Sequence, residues 1–176
     1  LISTSKKAGS FDEKKQYLNK VKQSIFPISS FDPLATAIRV GEKILVTTRH
    51  SVADNTNTQL YLKTGIPIET KAIPNDIPGD LILLRTDNLP VGPIAKLSDA
   101  SPNEVLRTVA ADLRTRKIKV YKSGKVIFLP SKNQPNARIH HTAYSQPGNS
   151  GGALVNNLGH VVGIVSSGGE GRFEAI

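Results

Sequence analysis

From Leu34 onward the chain reads as a succession of short, β-rich segments, and this feature limits the fold more than any other. "LATAIRV", "KILVTT", "TQLYLK", "DLILLR", "VLRTVAA", "RKIKVY", "KVIFLP", "ARIHHTA", "GALV" and "HVVGIVSS" are separated by Gly, Pro, Asn or Asp, the punctuation of strands joined by turns. No βαβ rhythm and no internal repeat is present. About ten strands in a chain of 176 residues, 38% of them hydrophobic, suit an antiparallel sandwich or a pair of small barrels sharing a core. "RKIKVY" and "KVIFLP" around "KSGK" predict a hairpin with Lys117, Lys119, Lys122 and Lys125 on a solvated face.

Ahead of the strands, "SFDEKKQYLNKVKQSIF" predicts a helix over about 11–24. Ser10 and Glu13 have the capping-box spacing, and Phe11, Leu18, Val21 and Ile25 form an apolar stripe. The expected organisation is therefore a helical extension over 1–24 followed by a β domain over 25–176, whose two halves meet near 95–105. Nowhere is there an apolar run of about eighteen residues, as a membrane-spanning helix needs. The chain opens at Leu1 with no charged n-region before an apolar core. It ends in "GRFEAI", which reads as a strand, so it is expected to be a piece of a longer polypeptide.

Composition removes several function classes. Without cysteine there is no disulfide, thiolate metal site or cysteine nucleophile. The net charge of +9 favours anionic partners. Four tyrosines, five phenylalanines and no tryptophan, scattered and not interleaved with the basic residues, supply no stacking platform, so nucleic acid is not the expected partner.

The chemistry concentrates in "QPGNSGGALVNNLGHVVGIVSSGG", residues 146–169. A serine in a glycine-rich turn is ordinary turn chemistry unless a base can take its proton, and that base is usually a histidine oriented by a carboxylate. Of the four histidines, His50 stands where the strand "ILVTT" runs into "RHSVAD", which places an imidazole at a strand end. His140 and His141 are neighbours on a strand and point to opposite faces, one to the core and one to the surface. His160 follows the turn residues Asn157, Leu158 and Gly159 and reads as structural. Asp80 stands at the mouth of the apolar strand "LILL", where a carboxylate needs a hydrogen-bonding partner such as an imidazole N–H.

The order His50, Asp80, Ser150, with "VTTRH", "DLILL" and "GNSGGALV" around them, resembles the chymotrypsin-like serine proteases. "PGNSGGALVNNLGHVVGIV", "LPVGPIAKLSDAS" and the short intervals between the three residues are most similar to the HtrA (DegP-like) branch, over about 25–176. The resemblance implies an all-β fold of two six-stranded antiparallel barrels, and a cofactor-free serine endopeptidase whose triad is His50, Asp80 and Ser150. The loop Gly148, Asn149, Ser150 would form the oxyanion hole, with the N–H groups of Gly148 and Ser150 converging on the developing charge. It also implies a substrate pocket floored near Tyr144 and walled by Ser166, Ser167 and Gly168. No acid marks that floor, so small or medium apolar side chains are expected there rather than Lys or Arg. Protein or peptide substrates, an extracytoplasmic setting, further domains such as PDZ modules and a homo-oligomer follow from the same resemblance.

Two departures leave an alternative open. Arg49 precedes His50 where relatives usually carry a small or polar residue, and the segment from Val105 to Lys132 does not resemble their activation loops. The competing function is a silent or latent protease-fold binding module recognising a protein, anionic or metal partner.

Overall fold

The computed structural model describes residues 16–74, 79–131, 138–169 and 172–176. Of the predicted helix, residues 16–22 are helical (α1); the Ser10–Glu13 capping box and Phe11 lie outside the described residues. Ser24 closes the helix by donating its hydroxyl to the Val21 carbonyl at 2.8 Å, and Ile25, counted above on the helical stripe, opens the first strand.

That strand, β1 (Ile25–Ser29), begins a closed antiparallel barrel with β2 (Ala35–Arg39), β3 (Ile44–Thr48), β4 (Asn57–Tyr61), β5 (Pro67–Ile73) and β6 (Leu81–Arg85), in the order β1-β2-β3-β6-β5-β4. A short helix α2 (Arg49–Val52) follows β3. The second half contains β7 (Val105–Ala111), β8 (Ile118–Val120), β9 (Gly124–Phe128), β10 (Ile139–His141), β11 (Ala153–Val155), β12 (Val161–Gly169) and β13 (Arg172–Ala175). Their order is β11-β12-β13-β10-β9-β7-β8, and β11 pairs back onto β7. Because β8 and β9 both pair with β7, at successive stretches of it, they fill one place in the ring. The expected double barrel of six antiparallel positions each is what forms.

The predicted hairpin of 116–130 does not form: β8 and β9 are successive pieces of one bent strand, not partners. Gly124 is the reason. A Cβ there would stand 2.1 Å from the Ala143 nitrogen, so this glycine serves a close backbone approach rather than a chain reversal. The four lysines at 117, 119, 122 and 125 are exposed, as expected.

Side-chain alternation builds three cores. Phe26 and Ile28 of β1, Ala35 and Ala37 of β2 and Leu45 of β3 fill the first barrel. Their neighbours Ile25, Ile38 and Val46 turn the other way and pack with Val109, Ala153, Val155 and Val161 at the seam between barrels. Leu106, Val126, Ile139 and Leu154 fill the second barrel. Burial of both faces explains why "ATAIR" and "ILVTT" lack the apolar–polar alternation of a half-exposed strand.

His141 takes the core position and His140 the outer one, against the edge of Phe128. Burial pushes the His141 pKa down to about 4, opposed by a backbone hydrogen bond at Ala143 and aided by His140. An unfolded imidazole titrates near 6.5. Between pH 6.5 and 4 the unfolded chain therefore binds a proton that the native chain refuses, so stability falls as pH falls through that window and levels off below it. The expected loss is roughly 3 kcal/mol. Denaturation midpoints at pH 7 and 4.5 should converge in a His141→Leu variant relative to the parent; an equal drop in both proteins would show that this imidazole contributes nothing.

Candidate active site

His50, Asp80 and Ser150 come from the first barrel, the first barrel and the second. In the β3–β6 pairing Thr48 lies opposite Leu81, so the residue two past the end of β3 and the residue just before β6 meet at one end of the barrel. The Arg49 N–H donates to the Asp80 carbonyl at 2.8 Å, and the Arg49 guanidinium donates to the Leu81 carbonyl at 3.0 Å. Arg49 thus clamps α2 to the start of β6. Asp80 Oδ1 accepts the His50 backbone N–H at 2.9 Å, and Oδ2 is hydrogen-bonded to Nδ1 of the same residue. Both carboxylate oxygens therefore fix one imidazole.

Nε2 of His50 lies 3.2 Å from Ser150 Oγ. With a carboxylate as its partner Nδ1 carries the proton, which leaves Nε2 an acceptor facing the hydroxyl. The Ser150 hydroxyl proton has a second acceptor, the Ser166 carbonyl at 3.3 Å. The Asp80 side chain is 17% exposed and that of His50 45%, so the carboxylate is shielded while the imidazole edge stays open to a ligand.

The Ser150 loop is shaped by positive φ and by crowding. Gly148 has φ 96° and Gly151 φ 84°, in the region that favours glycine. A Cβ on Gly151 would also stand 2.0 Å from the Thr36 carbonyl oxygen. Thr36 staples the two barrels at this point: its N–H donates to the Ser150 carbonyl at 2.9 Å, and its hydroxyl donates to the Gly148 carbonyl at 3.0 Å while accepting the Ala111 N–H at 2.9 Å. Among the described residues no acceptor takes the N–H of Gly148 or Ser150. The Asn149 N–H, by contrast, donates to the Gln146 carbonyl at 3.0 Å.

Below the loop lies a polar network that sequence reasoning did not find. The Asn149 amide donates to the Ala111 carbonyl at 2.9 Å and to the Tyr121 hydroxyl at 3.3 Å, and its oxygen accepts the Gln146 N–H at 2.9 Å. The Gln146 side chain donates to Tyr121 at 2.8 Å and to Asp112 Oδ1 at 3.0 Å. Tyr121 in turn donates to Asp112 at 3.4 Å. Burial raises the Tyr121 pKa, which keeps its phenol protonated and able to bridge. For Asp112 desolvation works against the charged form, but hydrogen bonds from Thr115 and Gln146 and the nearby Lys119 outweigh it and lower the pKa.

Of the other predicted residues, Tyr144 is half exposed and packs tilted on Tyr121, ring centres 5.8 Å apart. Ser166 is buried and its Oγ accepts a hydrogen bond from Arg138. Ser167 and Gly168 continue β12 opposite Glu174 and Phe173; the Ser167 side chain lies outside the described residues. His160 belongs to a tight turn, its N–H donating to Asn156 Oδ1 at 3.0 Å.

Comparison with known proteins agrees with this architecture. A family model described as a trypsin-like peptidase domain matches residues 35–164. The serine protease Do-like HtrA of Lactobacillus helveticus is 32% identical over 135 residues, covering 72% of this chain and 32% of the relative. The chain thus spans about a third of the length of the curated relatives it matches. In fold, it resembles the HtrA-type protease AlgW with a TM-score of 0.79 at 22% identity, over 93% of this chain and 59% of that one. The serine endoprotease from Yersinia pestis gives 0.77 at 20% identity, over 93% and 61%.

Proposed function

The chain belongs to the trypsin-like peptidase domain family, with HtrA serine proteases among its relatives, and from that premise we propose that it is an HtrA-type endopeptidase acting through His50, Asp80 and Ser150. The observation that carries this reading is the single imidazole bonded to Asp80 through one nitrogen and 3.2 Å from Ser150 Oγ through the other. Ser150 Oγ attacks the scissile carbonyl carbon while His50 Nε2 takes its proton. The tetrahedral oxyanion is held by the N–H groups of Gly148 and Ser150. Collapse breaks the C–N bond as His50 returns the proton to the leaving amine, and water, deprotonated by the same nitrogen, releases the acyl group. Asp80 keeps Nδ1 protonated and stabilises the imidazolium. Asn149 contributes as a support for the loop, since its own N–H is engaged.

An extended substrate is proposed to lie along β12. Pairing with β11 ends at Ile164, while pairing with β13 runs on to Gly169, which leaves one edge of Ser166–Gly168 for β-augmentation by a peptide. Tyr144 and the Ser166–Gly168 strand bound the pocket for a small or medium apolar side chain. The setting proposed from the HtrA kinship is extracytoplasmic, with PDZ-type domains and oligomerisation as features of the whole protein. Among the described residues no helix is long and apolar enough to cross a membrane.

A fluorophosphonate probe tests the reading, because it phosphonylates only a serine whose proton is removed by a neighbouring base. Stoichiometric labelling of Ser150, lost in His50→Ala, is expected. Absence of labelling in the folded parent would favour the silent binding module instead.

The network under the loop has its own expected result. Gln146→Leu keeps the side-chain bulk but removes the donors to Tyr121 and Asp112. It should lower kcat by about tenfold to a hundredfold with KM nearly unchanged, as for loss of interactions that organise an oxyanion hole. The phosphonylation rate should fall in parallel. A variant with parental kcat would remove Gln146 from the positioning machinery.

A further inference from the structure

Where the β4–β5 turn of the first barrel meets the β7–β8 turn of the second, a groove of about 570 Å³ opens, floored by Pro27 and Leu62 and rimmed by Lys22, Lys63, Arg116 and Lys117. No acidic residue is among its described lining residues. Lys63 is anchored, its ammonium donating to the Lys22 carbonyl at 2.7 Å and the Ile25 carbonyl at 3.1 Å and standing 5.4 Å from the centre of the Phe26 ring. Partial burial, then the neighbouring Lys22, push its pKa down to about 8. Among the described lining residues the like charges are thus crowded with no carboxylate beside them.

Arg116 is held toward the groove by its turn. It has a positive φ of 58°, its N–H donates to the Asp112 carbonyl at 2.7 Å, and Asp112 Oδ2 caps the turn through Thr115. Its guanidinium donates to the Pro33 carbonyl at 3.0 Å. The next residue, Leu34, has its Cδ2 only 3.0 Å from where a Gly148 Cβ would lie. The groove is therefore linked, through Arg116, Pro33 and Leu34, to the loop at Gly148. Asp112 is at once the cap of the turn that presents Arg116 and Lys117 and the acceptor for Gln146 beneath that loop.

We infer that this interbarrel groove is an exosite for an acidic stretch of the polypeptide substrate, its apolar floor taking aliphatic side chains and its four cations taking carboxylates. Charge complementarity selects this occupant: the rim offers cations of one sign at mixed depths, and an extended acidic peptide alternating carboxylate and aliphatic groups matches both rim and floor. The inference rests on the proposed proteolytic role of Ser150.

The experiment uses the full chain carrying Ser150→Ala and a fluorescein-labelled peptide of alternating glutamate and leucine, followed by anisotropy. Saturable binding is expected, weakening steeply with salt and by roughly tenfold or more in a Lys22→Gln, Lys117→Gln double variant, in line with two partly exposed ion pairs. Lys22→Glu with Lys117→Glu should abolish it. Equal affinity in parent and neutralised variant would overturn the exosite, and so would displacement by inorganic phosphate at matched charge, which would mark a small-anion site. Fluorophosphonate labelling of the Ser150 protein with and without the double substitution separates the two readings. Unchanged labelling with lost binding is the result expected of an exosite. Labelling without any peptide binding sinks the groove alone, and binding without labelling sinks the protease and with it the exosite, leaving only an acidic-peptide site with no substrate role.

Discussion

Replacing Ser150 by alanine is expected to lower kcat for peptide hydrolysis by roughly a millionfold, the scale seen when a triad nucleophile is removed. The size follows from the geometry. Ser150 Oγ is the hydroxyl facing His50 Nε2 at 3.2 Å, and without it the imidazole has only water to activate, against a carbonyl no longer attacked from within the complex. Residual turnover would come from binding and from the N–H groups of the loop, on the order of a thousandfold above water. Stability should barely change. The side chain's remaining bond is the 3.3 Å contact to the Ser166 carbonyl, whereas the backbone bond from Thr36 to the Ser150 carbonyl survives the substitution. The change belongs with those that move stability by about 0.5 kcal/mol or less. A fluorogenic peptide assay beside a thermal melt checks both halves. Turnover retained at a tenth of the parental rate, in preparations free of other proteases, would end the assignment of Ser150 as nucleophile.

What made the site legible was local context at three places far apart in the chain. A strand end, a strand mouth and a glycine-rich turn each leave a signal within a few residues, and the family order joins them. The strands that escaped notice lacked such signals. β1 contains Pro27, which argues against an interior strand, yet it is tolerated because Thr36 opposite sends its N–H to Ser150 rather than across the pair, and β4 pairs only from Ile28 onward. In β5, "PIETKAI" buries only Thr70 fully, so its apolar count is too low to read. The Asp112, Tyr121, Gln146 and Asn149 network was invisible for another reason. Each member sits in an unremarkable turn or strand, and their meeting is a product of barrel closure, which brings the β7–β8 turn under the Ser150 loop. Lys122, Ser123 and Gly124 misled in the opposite direction, since a glycine needed for close packing has the same letter as one needed for a turn.

Asp80→Asn provides the sharper test of mechanism, since it preserves shape and changes only proton placement. The carboxylate has two duties here: Oδ1 accepts the His50 backbone N–H at 2.9 Å, and Oδ2 accepts from Nδ1. An asparagine can keep the first bond with its amide oxygen, which turns its NH2 toward Nδ1. A donor in that place forces Nδ1 to be the acceptor and moves the imidazole proton to Nε2, where it faces Ser150 Oγ. The base then has no lone pair for the serine, although every heavy atom stays in position. The expected result is a loss of about 10⁴ in kcat with KM and the melting temperature close to parental values. Because the lesion is in proton placement rather than in the nucleophile, phosphonylation of Ser150 should slow by a similar factor yet still go to completion. Full activity in the asparagine variant would separate Asp80 from the chemistry and reduce its contact with His50 to a packing role.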